Sequence, residues 1–122
     1  MNIELLRSMG TLRKFQKGEF ICLENEEGDT AYLLLQGYAD VILGSFEDKN
    51  QRVAVLRPGT FFGEMSLLEN KVRNASVQAR TDDTMVLEIG KSQFFEILQA
   101  NNVNTIDRKN GRKDLWIARL RL

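Results

Sequence analysis

Phe62-Gly63-Glu64-Met65-Ser66-Leu67-Leu68 places a carboxylate directly after a glycine at the head of a short apolar turn, and Arg73 follows nine residues after Glu64. A carboxylate only accepts hydrogen bonds, so Glu64 suits a hydroxyl and is a poor neighbour for an anion. Arg73 offers the reverse, a permanent planar cation whose forked N–H donors match phosphate oxygens. Gathered in one pocket, the two would hold something both hydroxylated and anionic, and a sugar phosphate fits. Gly63 supplies backbone that a ligand can approach closely. Met65 to Glu69 reads as a helical turn whose leading N–H groups favour anions. Asn74 and Ala75 can add backbone N–H donors to the same oxygens. The competing reading of Glu64 and Arg73 is a salt bridge without a ligand, and that of Gly63 is a simple bulge.

Composition removes other chemistries. The 122 residues contain no histidine and one cysteine. That excludes the usual serine or cysteine triads, an imidazole base, His-ligated metals and haem, and thiolate clusters. No Gly-x-x-x-x-Gly-Lys and no Gly-x-Gly-x-x-Gly is present. Catalysis would rest on carboxylates, lysine or serine; a pair such as Glu64 and Glu69 lacks any sequence signal of a shifted pKa. A binding module is the better expectation. Basic and acidic residues balance at 17 each, so any anion site is local and the chain has no general bias toward nucleic acid or an anionic membrane. Cys22, within Phe20-Ile21-Cys22-Leu23, reads as buried and apolar, in a reducing, cytoplasmic setting. No run approaches the ~18 apolar residues of a membrane span, and the opening residues lack a secretory pattern.

The elements that must bring Glu64 and Arg73 together are short strands. With 43% hydrophobic and 28% charged residues, the chain can build one core and one domain. Ile3, Leu5, Leu6 and Met9 predict a brief helix ended by Gly10. From Phe15 onward, apolar bursts alternate with turn chemistry such as Lys17-Gly18, Glu27-Gly28-Asp29, Pro58-Gly59 and Thr81-Asp82-Asp83. The bursts are Phe20–Leu23, Tyr32–Leu35, Ala39–Leu43, Arg52–Leu56, Ala75–Ala79 and Met85–Ile89. This rhythm predicts an antiparallel sandwich or barrel over about 12–90. Phe94, Phe95, Ile97 and Leu98 then form a helical stripe with Ser92 as its N-cap. A polar loop is expected over Asn101 to Asp114. Two helical turns are expected over Leu115–Leu122, completing a C-terminal segment of 91–122.

Lys17-Gly18-Glu19-Phe20-Ile21, Glu24 and Glu27-Gly28-Asp29-Thr30-Ala31-Tyr32-Leu33-Leu34-Leu35-Gln36-Gly37 resemble the first half of a cyclic nucleotide-binding domain. Pro58-Gly59-Thr60-Phe61-Phe62-Gly63-Glu64-Met65-Ser66-Leu67 and Arg73-Asn74-Ala75-Ser76-Val77-Gln78-Ala79 resemble that family's phosphate-binding cassette, in register. Thr84–Ile89 and Phe94–Leu98 look like its last strand and closing helix. The resemblance runs from about Leu12 to Gln99. It implies a mainly β fold, an antiparallel double-stranded β-helix or jelly-roll with short flanking helices.

It further implies a non-catalytic sensor for cAMP or cGMP. Phe62, Gly63, Glu64, Met65, Ser66, Arg73, Asn74 and Ala75 would bind the ligand, Glu64 at the ribose and Arg73 at the cyclic phosphate. Val53, Val55 and Leu56, with Leu43 and Met65, are either the apolar side of a base pocket or plain core. Ser76 either meets the phosphate or packs in its strand, and Lys71 adds positive potential or is simply solvated. The cassette arginine's usual flanking proline and alanine are here Val72 and Asn74, which leaves the preferred base open. Occupancy would pass through the C-terminal segment to an effector or a second copy. Too few residues follow Ile89 for a helix-turn-helix, so no direct nucleic-acid contact is expected, and the basic residues from Arg108 to Arg121 read as a solvated helix face. The alternative is a degenerate module that binds no nucleotide and dimerises through the tail bearing Trp116.

Overall fold

Alternation of apolar and polar residues requires strands that are buried on one side, and the computed structural model stacks two sheets of them. It describes residues 3–44, 51–69 and 72–100. In chain order the elements are α1 (Ile3–Ser8), β1 (Gly10–Phe15), β2 (Phe20–Cys22), β3 (Thr30–Gln36), β4 (Ala39–Leu43), β5 (Gln51–Leu56) and β6 (Phe61–Phe62). They continue with α2 (Glu64–Glu69), β7 (Ser76–Ala79), β8 (Thr84–Gly90) and α3 (Lys91–Ala100). One sheet has the order β1-β8-β3-β6 and the other β2-β7-β4-β5. Every pairing is antiparallel. This is the expected jelly-roll with flanking helices.

Strand β3 is apolar almost throughout because both of its faces are covered. Ala31 and Leu33 pack with Phe94, Ile97 and Leu98 of α3, whereas Tyr32 and Leu34 point between the sheets toward Ile21, Val77 and Ala79. The two-residue strand β6 divides in the same way. Phe61 joins the α3 cluster, edge to face with Phe94 at 5.9 Å, and Phe62 joins the cluster between the sheets. In β7 only Val77 and Ala79 are fully buried, which gives the period of two expected for a strand with one covered face.

A buried carboxylate ties the second sheet together. Asp40 in β4 is 2% exposed and is gripped by Arg52 Nε of β5 at 2.9 Å and by Arg80 Nη1, just beyond β7, at 3.0 Å.

Three expectations are revised. Strand β1 has no counterpart among the apolar bursts, because four of its six residues are exposed and only Phe15 is buried. Ser92 is not an N-cap: β8 remains paired to Gly90 and the chain enters α3 at Lys91, so Ser92 already lies inside the helix. Leu43, Val53 and Val55 are neither core nor pocket but 40%, 51% and 45% exposed, respectively. Val53 and Val55 sit in β5, an edge strand of the second sheet, and Leu43 ends the neighbouring β4. The loop expected over 101–114, the helical turns over 115–122 and Lys71 lie outside the described residues. Among the described residues no helix is long and apolar enough to cross a membrane.

Candidate functional site

The chain leaves β6 through Gly63, whose φ of 76° lies in the left-handed region that glycine enters without strain, and starts α2 at Glu64. It returns by pairing Val72 with Glu27. The Arg73 N–H donates to the Glu26 carbonyl at 2.7 Å, and the Asn25 N–H donates to the Arg73 carbonyl at 2.8 Å. Arg73 is thus clamped by its backbone to the turn between β2 and β3, and its side chain folds back over the start of α2.

The guanidinium lies in a fitted socket. Nη1 donates to the Gly63 carbonyl at 2.6 Å and to Ser66 Oγ at 2.9 Å, and Nη2 donates to Thr30 Oγ1 at 3.3 Å. The Ser66 hydroxyl itself donates to the Gly63 carbonyl at 3.0 Å. Beneath the cation is the Tyr32 ring, 5.3 Å from the guanidinium carbon to the centroid, and Tyr32 in turn stacks on Phe62 at 5.1 Å. Two glycines leave the room: a Cβ at Gly28 would collide with the guanidinium, and one at Gly63 would come within 2.6 Å of Nη1.

Arg73 is only 6% exposed, yet every one of these acceptors is neutral. Among the described residues it makes no ion pair, in contrast to Arg13, Lys14, Arg52 and Arg80. A guanidinium has five N–H donors, and these three bonds use both hydrogens of Nη1 and one of Nη2. A buried charge is ordinarily paired, because desolvation without a counter-charge is costly. Among the described residues the acceptors of the Arg73 guanidinium do not include the Glu64 carboxylate, which the ligand-free reading of this pair requires.

Glu64, also 6% exposed, and Arg73 line one cavity of about 340 Å³. That volume is at the small end of ligand pockets, roughly 300–1,000 Å³. Its polar end is formed by Gly63, Glu64, Ser66, Arg73 and Asn74, with Ala75 beside them, and its apolar wall by Cys22, Val41, Leu56, Phe62 and Val77. Burial pushes the Cys22 thiol up to about 11 against the opposing pull of the Arg73 charge, so the wall is neutral there. Burial likewise raises the Tyr32 phenol.

Of the sequence-derived candidates, Phe62, Gly63, Glu64, Ser66, Arg73, Asn74 and Ala75 all border the cavity. Met65 is placed in α2 by its backbone, and its side chain lies outside the described atoms. Leu56 reaches the apolar wall. Ser76 instead accepts the Glu24 N–H at 2.9 Å, so its hydroxyl is engaged in holding the β2 end. Thr30, Tyr32 and Gly28 were not singled out as site residues by the sequence. The available signal was the Glu27-Gly28-Asp29 turn, whose glycine has no side chain where the guanidinium needs space.

A family model described as the cyclic nucleotide-binding domain matches residues 12–101. The chain belongs to the cyclic nucleotide-binding domain family. The domain is 38% identical over 85 residues to a cAMP-dependent protein kinase regulatory subunit of Emericella nidulans, an alignment covering 70% of this chain and 20% of that protein. It is 32% identical over 112 residues to human cGMP-dependent protein kinase 2, covering 81% and 15% of the two chains. The chain therefore spans a fifth or less of the length of these curated relatives. Among solved structures, the Thermus thermophilus catabolite activator protein superposes with a TM-score of 0.73 at 26% identity, over 91% of this chain and 54% of that one. A cAMP-bound form of the EAL enzyme Bd1971 gives 0.69 at 27% identity, over 89% and 28%.

Proposed function

We propose that the domain is a non-catalytic sensor that binds a cyclic purine mononucleotide, cAMP or cGMP, in the cavity between β6, α2 and β7. In this reading Arg73 meets the cyclic phosphate and Glu64 accepts from a ribose hydroxyl. The backbone N–H groups of Asn74 and Ala75 supplement the phosphate contacts, and the purine lies toward Val41 and Leu56. The observation that carries the reading is Arg73: a buried cation that, among the described residues, is held in place by neutral acceptors alone and so suits an anion. The anionic ligand also has to carry a hydroxyl for Glu64 and an apolar ring for the wall, and a cyclic nucleotide has all three. Family membership and the cAMP-bound relative support the same choice.

Occupancy is transmitted through α3 and the C-terminal segment that follows it. Phe61 adjoins the cassette and contacts Phe94 of α3, so a shift of the cassette bears directly on that helix. The test is calorimetric titration with both nucleotides. The wild type is expected to bind at least one of them, and Arg73→Ala to weaken that binding about 30- to 1000-fold, ~2–4 kcal/mol, because a charge-assisted contact is lost. Equal affinity of the two proteins would remove Arg73 from the site.

A further inference from the structure

The Arg73 socket contains a side chain that grips the arginine itself. Ser66 lies in the first turn of α2, is 3% exposed, and uses its hydroxyl twice, donating to the Gly63 carbonyl at 3.0 Å and accepting from Arg73 Nη1 at 2.9 Å. The Nη1 atom also donates to that same carbonyl at 2.6 Å. Three groups therefore close a triangle in which the serine oxygen fixes the direction of the guanidinium plane. We propose that Ser66 is a positioning residue for the anion site: it holds Arg73 in one orientation before any ligand arrives, with Thr30 holding the other terminal nitrogen. The proposal deepens the nucleotide-binding reading above and rests on it for its consequence in affinity.

Preorganisation gives such a hold its value. An arginine side chain has many rotamers, and a ligand that must order it loses affinity in doing so. Here both terminal nitrogens of Arg73 are held by the fold's own acceptors. Nη1 is saturated and Nη2 is half used, which leaves Nε–H and the second Nη2 hydrogen as the donors not engaged by the described residues. Removing the Ser66 oxygen frees one Nη1 hydrogen, loosens the plane and changes which edge of the cation is presented. A conservative hydroxyl in the same place restores the triangle.

Two measurements test this, the first without any ligand. In proton–nitrogen NMR spectra of the free protein, the Arg73 Nη hydrogens, assigned by their loss in Arg73→Ala, are expected as separate, slowly exchanging signals. They should merge in Ser66→Ala and separate again in Ser66→Thr. The second is a double-mutant cycle on binding of the better of cAMP and cGMP, with thermal unfolding of each free variant as the folding control. Ser66→Ala should weaken binding roughly 3- to 10-fold when Arg73 is present and leave affinity unchanged in the Arg73→Ala background. Signals that stay separate in Ser66→Ala, or equal losses in both backgrounds, overturn the positioning role. Separate Arg73 signals in a wild type that binds neither nucleotide would contradict the proposed function while upholding the hold of Ser66 on Arg73.

Discussion

Two buried charges in this domain are treated in opposite ways. Asp40, 2% exposed, is answered by two guanidiniums from neighbouring strands, so its charge is satisfied within the fold. Arg73, 6% exposed, is surrounded by a carbonyl, two hydroxyls and an aromatic face, so that among the described residues its hydrogen-bonding geometry is met without an opposite charge. The first arrangement serves cohesion of the second sheet. The second keeps a cation poised at some cost in stability, which is the pattern expected where a ligand supplies the missing charge.

Removing the partners of each charge should therefore have different signatures. The largest effect is expected on folding. Arg52→Ala and Arg80→Ala made together strand the Asp40 carboxylate, and unfolding free energy should fall by about 3–5 kcal/mol. Each single change should cost only ~1 kcal/mol, since the other half-exposed arginine remains. Chemical denaturation measures both, and a double variant as stable as the wild type would deny Asp40 its structural role. A smaller effect is expected at the other site. Gly28→Ala places a methyl group on the Arg73 guanidinium and 2.7 Å from Ser66 Oγ. Gly28 is not among the glycines with positive φ, so the backbone there accommodates alanine. Nucleotide affinity should drop roughly 10- to 100-fold, about 1.4–2.7 kcal/mol, with the fold retained. Unchanged affinity would mean that the guanidinium is not confined as described.

Much of the candidate site was legible in the sequence, because cassette residues close in sequence are also close in space. Gly63, Glu64 and Ser66 share one turn, and the bridge from Val72 to Glu27 returns Arg73 to them. The strand bursts were legible for the same reason, as period-two burial leaves a mark wherever one face is covered. The rest depended on long-range contacts. The lining of the Arg73 socket by Gly28, Thr30 and Tyr32 comes from a segment more than forty residues away, and beyond the glycine of the Glu27-Gly28-Asp29 turn nothing in those residue types announces it. Strand β1 was hidden by its exposure. Val53 and Val55 were misread because an apolar residue on an edge strand looks the same in sequence as one inside. Asp40 gave no sign that two arginines would meet it.

The central claim is that the charge of Arg73 is reserved for a ligand phosphate, and a crystal structure of the domain grown with the better-binding cyclic nucleotide tests it most directly. The exocyclic phosphate oxygens are expected about 2.7–2.9 Å from Arg73 guanidinium nitrogens, with the ribose at Glu64. A nucleotide bound with its phosphate in solvent, or with Arg73 turned away to a carboxylate of the protein, would contradict it.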